Sequence, residues 1–196
     1  LKFVFALIAA IILVASAGAQ APKLDPDGLI RDAVLTEALA AREARTGAFA
    51  NNGVMVIVDY GLRSDEARLF ILDLETGRVE AFRAAHGLGS DPDHDGWLDS
   101  FSSVSGSNAS PRGAFITAEE YYGKHGRSLR LDGIDQDNAN ARARAIVMHA
   151  AWYAEEDFLD AHGKLGRSNG CIVFSVRDRD MVFGNLKPGT FLWVTK

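Results

Sequence analysis

The chain has 196 residues, 47% of them hydrophobic, and a formal net charge of −5. That is enough for one domain with a full core, and an acidic chain without a basic cluster excludes an electrostatic nucleic-acid surface. The single cysteine, Cys171, excludes an internal disulfide.

Leu1-Lys2, an apolar run from Phe3 to Val14 and the small residues Ala15 to Ala19 describe a secretory signal peptide over 1–19, cut after Ala19. A retained membrane span would need about 18 apolar residues, more than this run supplies, so no stable span is expected after cleavage. A linker with Pro22 and Pro26 leads to a helix expected from an Asp27 N-cap to about Arg45, with Gly47 as its stop. Val54 to Tyr60, Ala67 to Leu74 and Val79 to Ala85 read as strands, the last two joined by the turn Glu75 to Arg78. The hairpin feeds His86-Gly87-Leu88-Gly89-Ser90.

From Ser90 to Arg112 the chain is mostly Ser, Asp, Gly and Asn, broken by Trp97, Leu98 and Phe101. A loop this long inside a compact domain is usually functional, and it is expected to form one wall or lid of a site. Gly113 to Thr117 and Ser128 to Leu131 read as short strands, and Asp132 to Asn140 as a polar loop. Ala145 to His149 is a buried strand that delivers a histidine at its end. Glu155 to Ala161 and Val176 to Phe183 read as helices, and Thr190 to Val194 as a closing strand.

The chemistry concentrates in His162 to Cys171, where Gly166 and Gly170 permit tight turns and close backbone approach. Cysteine attacks acyl carbonyls as a thiolate, so it needs a base or cation nearby to lower its pKa, and the base needs an orienting partner. His149 is the first choice of base, with a core histidine bonded to backbone as the other reading. His86 ends the hairpin and could orient substrate; His94 and His125 sit in polar loops where exposure is expected. Arg144, Arg167 and Lys124 are candidates to hold substrate carboxylates, and Tyr122, Trp97 and Trp152 to form pocket walls.

Gly166-Arg167-Ser168-Asn169-Gly170 also fits the GxSxG elbow of serine hydrolases, but there the histidine follows the serine, and no histidine lies beyond His162. A papain-like order fails for the same reason. Zinc is unsupported, with neither HExxH nor paired cysteines. Asp91-Pro92-Asp93-His94-Asp95-Gly96 is similar to the start of a calcium loop, but Ser102 stands where the bidentate glutamate belongs. No metal and no cofactor are expected.

Ser168-Asn169-Gly170-Cys171, preceded by a strand-borne His149, resembles the L,D-transpeptidase (YkuD-type) catalytic domain. More closely, the chain is similar to a divergent branch, the murein L,D-transpeptidase catalytic domain family. That similarity runs through His86-Gly87 with Gly89-Ser90, the FSSVSGS stretch from Phe101, YYGKHGRSLRLDG from Tyr121, Asn140 with Ala141 and Arg144, and IVMHAAWY from Ile146. The resemblance implies a mainly β (α+β) sandwich or barrel over 51–196, preceded by a linker and packed helix over 20–50. It implies a periplasmic enzyme that joins peptidoglycan stem peptides through a cysteinyl thioester, with carbapenems as acylating inhibitors. Carried over, Cys171 is the nucleophile, His149 the base, and Ser168, Asn169 and Gly170 shape the oxyanion pocket. Two positions depart from the family pattern: Asn169 stands where most members carry histidine, and Val173 where a polar or basic residue is usual. Hydrolysis of stem peptides on the same scaffold and a non-catalytic wall-binding domain are the alternatives.

Overall fold

The computed structural model describes residues 22–196, so the expected signal segment lies outside the described residues. In chain order the elements are α1 (Asp32–Glu43), β1 (Asn51–Asp59), β2 (Leu69–Asp73), β3 (Val79–Phe82), β4 (Gly113–Gly123), β5 (Gly126–Gly133), β6 (Val147–Ala150), α2 (Glu156–His162), β7 (Ile172–Phe174), α3 (Val176–Asn185) and β8 (Thr190–Thr195). The strands form one sheet in the order β3-β2-β1-β8-β4-β5-β6-β7. Only the β1–β8 and β6–β7 pairs are parallel. The sheet curls until its ends meet: past β3, Ala85 bridges Val173 of β7, and Gly87 bridges Ser168. Among the described residues the fold is thus a nearly closed, mainly β barrel with three α-helices, as the resemblance implied.

Alternation along the strands assigns the two sheet faces. Val56, Val58, Leu69, Ile71, Leu192 and Val194 point into the barrel core. Their neighbours Met55, Ile57, Phe70, Leu72 and Phe191 point outward and are covered by Val34, Ala38 and Ala41 of α1. The helix starts at Asp32 rather than near Asp27, because the Asp25 carboxylate accepts the N–H groups of Leu29 and Ile30 and holds the preceding turn. Arg31 then pins its entry through a two-pronged ion pair with Asp59, with bonds of 2.6 Å.

Three strand readings change. β4 and β5 run far beyond the expected short segments and meet in a two-residue turn, Lys124-His125, between Gly123 and Gly126. β3 stops at Phe82. Ile172–Phe174 forms the short strand β7 immediately after the cysteine.

Arg68 is the largest of the fully buried side chains, and it is charged. Arg68 donates to the carbonyls of Ala84 (2.7 Å) and Leu62 (3.0 Å) and to Nδ1 of His86 (2.8 Å), and its guanidinium lies over the Tyr60 ring. Burial brings its pKa down to about 10, leaving it charged at neutral pH. Replacing it by leucine strands two carbonyls and an imidazole nitrogen in the interior. Arg68→Leu is expected to cost about 3–5 kcal/mol in urea unfolding, and a loss below about 1 kcal/mol would contradict this role.

Candidate functional site

The cysteine loop hangs on the closing edge of the barrel. After α2, Gly163 turns the chain with φ +65, and the Gly166 N–H donates to the Tyr153 carbonyl at 2.7 Å. Ser168 is then held on both sides of its backbone: its N–H donates to the His86 carbonyl, and its carbonyl accepts from Leu88 N–H, each at 2.8 Å. Its hydroxyl donates to the Cys171 carbonyl at 2.7 Å and accepts the Gly170 N–H at 3.0 Å. Gly170 has φ +115, and a Cβ there would lie 2.6 Å from the Ala109 carbonyl oxygen and 2.9 Å from Ile146. Only glycine fits both constraints.

Register brings the histidine to the cysteine. His149 of β6 pairs with Val173 of β7 in a parallel ladder. Because side chains alternate, Cys171 continues the face that carries Val173, Val147 and His149. Cys171 and His149 line one cavity of about 450 Å³, together with Tyr121, Lys124, His125, Arg144, Ala145, Val147, Tyr153, Arg167, Ser168 and Asn169. Cys171 is half-buried, its sulfur 3.6 Å from the Ala145 carbonyl. His149 is buried and places Nδ1 at 3.0 Å from the Ala150 carbonyl. A carbonyl only accepts, so Nδ1 carries the proton and Nε2 is left with its lone pair. The His125 ring stacks on His149 at 4.2 Å between centroids.

These surroundings hold both side chains neutral. Burial pushes His149 down to about 4; the Ala150 carbonyl opposes that shift, while His125 and Lys124 reinforce it. Burial likewise pushes the Cys171 thiol up, against the pull of the Val147 N–H, Arg144 and Lys124. The lowered thiol pKa expected from the sequence is therefore reversed. At neutral pH the pair is thiol and imidazole.

The sequence matches the L,D-transpeptidase catalytic domain family over residues 27–195. The chain belongs to that family. Among solved structures it is similar to an L,D-transpeptidase from Mycobacterium smegmatis at 14% identity, over 74% of this chain and 59% of that one, with a TM-score of 0.45. An L,D-transpeptidase from Mycobacterium tuberculosis H37Rv is 15% identical over 74% and 58%, with a TM-score of 0.47. LdtMt1, solved in complex with imipenem, is 13% identical over 73% and 59%, with a TM-score of 0.44. The chain thus spans less than two thirds of these solved chains. A search of curated protein sequences finds no match.

Within this L,D-transpeptidase domain the other expected site residues divide. Arg144 and Arg167 line the cavity, but each is also a fastener. Arg144 donates to the carbonyls of Ser102 (2.8 Å) and Ala109 (2.7 Å), and Arg167 donates to the Asp91 carbonyl. His86 does not line the cavity. It is buried, accepting from Arg68 at Nδ1 and donating to Asp91 from Nε2 at 3.1 Å, so no ring nitrogen is free to orient substrate. Tyr122 and Trp152 are 82% and 74% exposed and lie outside the lining; their neighbours Tyr121 and Tyr153 take those places. His125, expected in a solvated loop, sits against the His149 ring instead.

The long loop is not a wall of this cavity: none of its residues lines it. It packs behind the cysteine loop, where Ser110 accepts the Gly87 N–H and donates to the Gly170 carbonyl. The calcium reading finds Asp91, Asp93 and Asp95 close together. The Asp91 carboxylate, however, is already occupied by His86 and by the N–H groups of Asp95 and Gly96. Its role is to fold the loop.

Two measurements follow from this electrostatics. His86 and His149 are both held near pKa 4 by burial, against 6.5 for an ordinary imidazole. Protons therefore favour the unfolded chain, and the stability present above pH 6.5 is lost as pH falls toward 4. The urea midpoint should drop over that window, and His149→Gln should flatten the dependence; an unchanged profile would contradict the assignment. In NMR titrations, His125→Ala should move the His149 midpoint up from about 4. His125→Phe, which keeps a stacked ring, should move it less.

Proposed function

We propose that the chain is a cysteine-dependent L,D-transpeptidase that joins peptidoglycan stem peptides, donor and acceptor, outside the cytoplasm, with the segment 1–19 as its export signal and 51–196 as its catalytic unit. One observation carries the reading: the sole thiol and an imidazole with a lone pair at Nε2 open into the same cavity. The cavity is also lined by Lys124, Arg144 and Arg167 with no carboxylate, which suits a substrate rich in carboxylates.

In the first half-reaction His149 Nε2 takes the thiol proton as Sγ of Cys171 bonds to the carbonyl carbon of an L,D peptide bond, at meso-diaminopimelate or at the alanine before it. The tetrahedral oxyanion is received by the Cys171 N–H, a contact of a kind worth about 3–4 kcal/mol. The Gly170 N–H is already given to Ser168, so Gly170 acts through its backbone conformation and Ser168 by bracing the loop. Collapse breaks the C–N bond, and the imidazolium returns its proton to the departing amine. In the second half-reaction His149 deprotonates an amine of a neighbouring stem, which attacks the thioester and releases the thiol. The product is a 3-3 diaminopimelate link or an L-alanine to diaminopimelate link. Tyr153, whose phenol burial and the nearby sulfur push up to about 12, stays protonated as a neutral wall.

Purified protein incubated with muropeptides should yield cross-linked dimers by mass spectrometry, and Cys171→Ala none. Shortened monomers alone would assign hydrolysis instead, and unchanged muropeptides would favour the non-catalytic wall-binding reading. A carbapenem should add its mass to the wild-type chain and leave Cys171→Ala unmodified.

A further inference from the structure

A second and larger cavity, about 1070 Å³, lies on the other side of the long loop. Its lining comes from that loop (Asp99 to Val104), from the Gln136–Asn138 turn and Asn140, and from the end of β8. The loop, too long to be idle and absent from the cysteine cavity, here supplies a continuous wall.

Most of the charges of this groove are already engaged, the Asp99 carboxylate being the exception. Arg45 pairs with Asp135 and Arg112 with Asp137, at 2.8 and 2.7 Å. Glu37 accepts from the Thr195 hydroxyl at 3.0 Å, and the Lys196 ammonium donates to the carbonyls of Leu98 and Asp99. An anionic ligand would have to break these contacts. Apart from the Asp99 carboxylate, what remains is neutral: Ser100, Ser102, Ser103, Gln136 and Asn140, with the rings of Phe101 and Trp193. Two buried polar atoms of this wall, the Trp193 indole nitrogen and the Ser103 hydroxyl, lack a hydrogen-bond partner, which is rare in a folded interior. Neutral hydroxyl and amide groups beside aromatic faces suit a sugar chain, whose rings offer apolar C–H faces and hydroxyl edges.

The groove is mechanically joined to the cysteine. Ser102 lines it, and the Ser102 carbonyl receives the Arg144 guanidinium that lines the other cavity. We propose that this groove binds the neutral amino-sugar strand to which the stem peptides are attached, laying the stem across the loop towards Cys171. This rests on the transpeptidase reading and adds a second binding site to it.

The test separates the two ideas. Full-length Cys171→Ala protein is titrated by NMR with peptide-free glycan strands, and turnover by chains with an intact Cys171 is measured on a free stem peptide and on the same peptide attached to glycan. Saturable shifts at groove residues are expected. Gln136→Trp, which fills the groove from an exposed position, and Asn140→Ala should raise KM for the glycan-linked substrate about tenfold and leave the free peptide unchanged. Glycan shifts without turnover of either substrate would keep the groove and remove the transpeptidase. No shifts, or variants that affect both substrates alike or neither, would overturn the groove.

Discussion

The site depends on a buried hydrogen-bond chain from Arg68 through the His86 ring to the Asp91 carboxylate. Arg68 has no acceptor role, so it fixes His86 as the tautomer that donates from Nε2, and Asp91 receives that proton. With its side chain locked at both nitrogens, His86 presents its backbone carbonyl to Ser168, and the Asp91 carbonyl takes Arg167. The cysteine loop is thus fastened at two points to one rigid element. A histidine outside the cavity fixes the course of the loop that carries the sulfur.

Upon that frame the two cavities divide the charge. The smaller carries cations beside a neutral thiol and a neutral imidazole, so positive potential is available to an incoming carboxylate without having already ionised the sulfur. The larger holds two internal ion pairs, Arg45 with Asp135 and Arg112 with Asp137. The long loop, which lines the larger cavity, is held by Arg144 and by Asn140.

Much of the barrel is legible in the sequence because its core strands alternate or run apolar: Met55 to Val58, Leu69 to Leu72 and Ile146 to Met148 announce themselves. The hairpin tip does not. Tyr121 to Ser128 is polar and glycine-bearing, and only pairing across Tyr122 and Arg127 makes it sheet. That hid His125 and Tyr121 from the site. Ile172 to Phe174 is too short to read as a strand, although it sets the register of His149. Tyr153 was masked by its neighbour Trp152, since composition cannot say which of two adjacent aromatics faces inward. His86 resembled a site residue because it ends a hairpin before glycines; that its nitrogens face a buried arginine and an aspartate depends on contacts that local pattern does not encode.

The seam between Ala85–Gly87 and Ser168–Val173 joins segments that are remote along the chain. Contacts of that kind are costly in loop entropy and form late, once the intervening strands have paired. The meeting of thiol and imidazole is therefore a property of the finished barrel: until the last strands come together, the sulfur has no imidazole beside it.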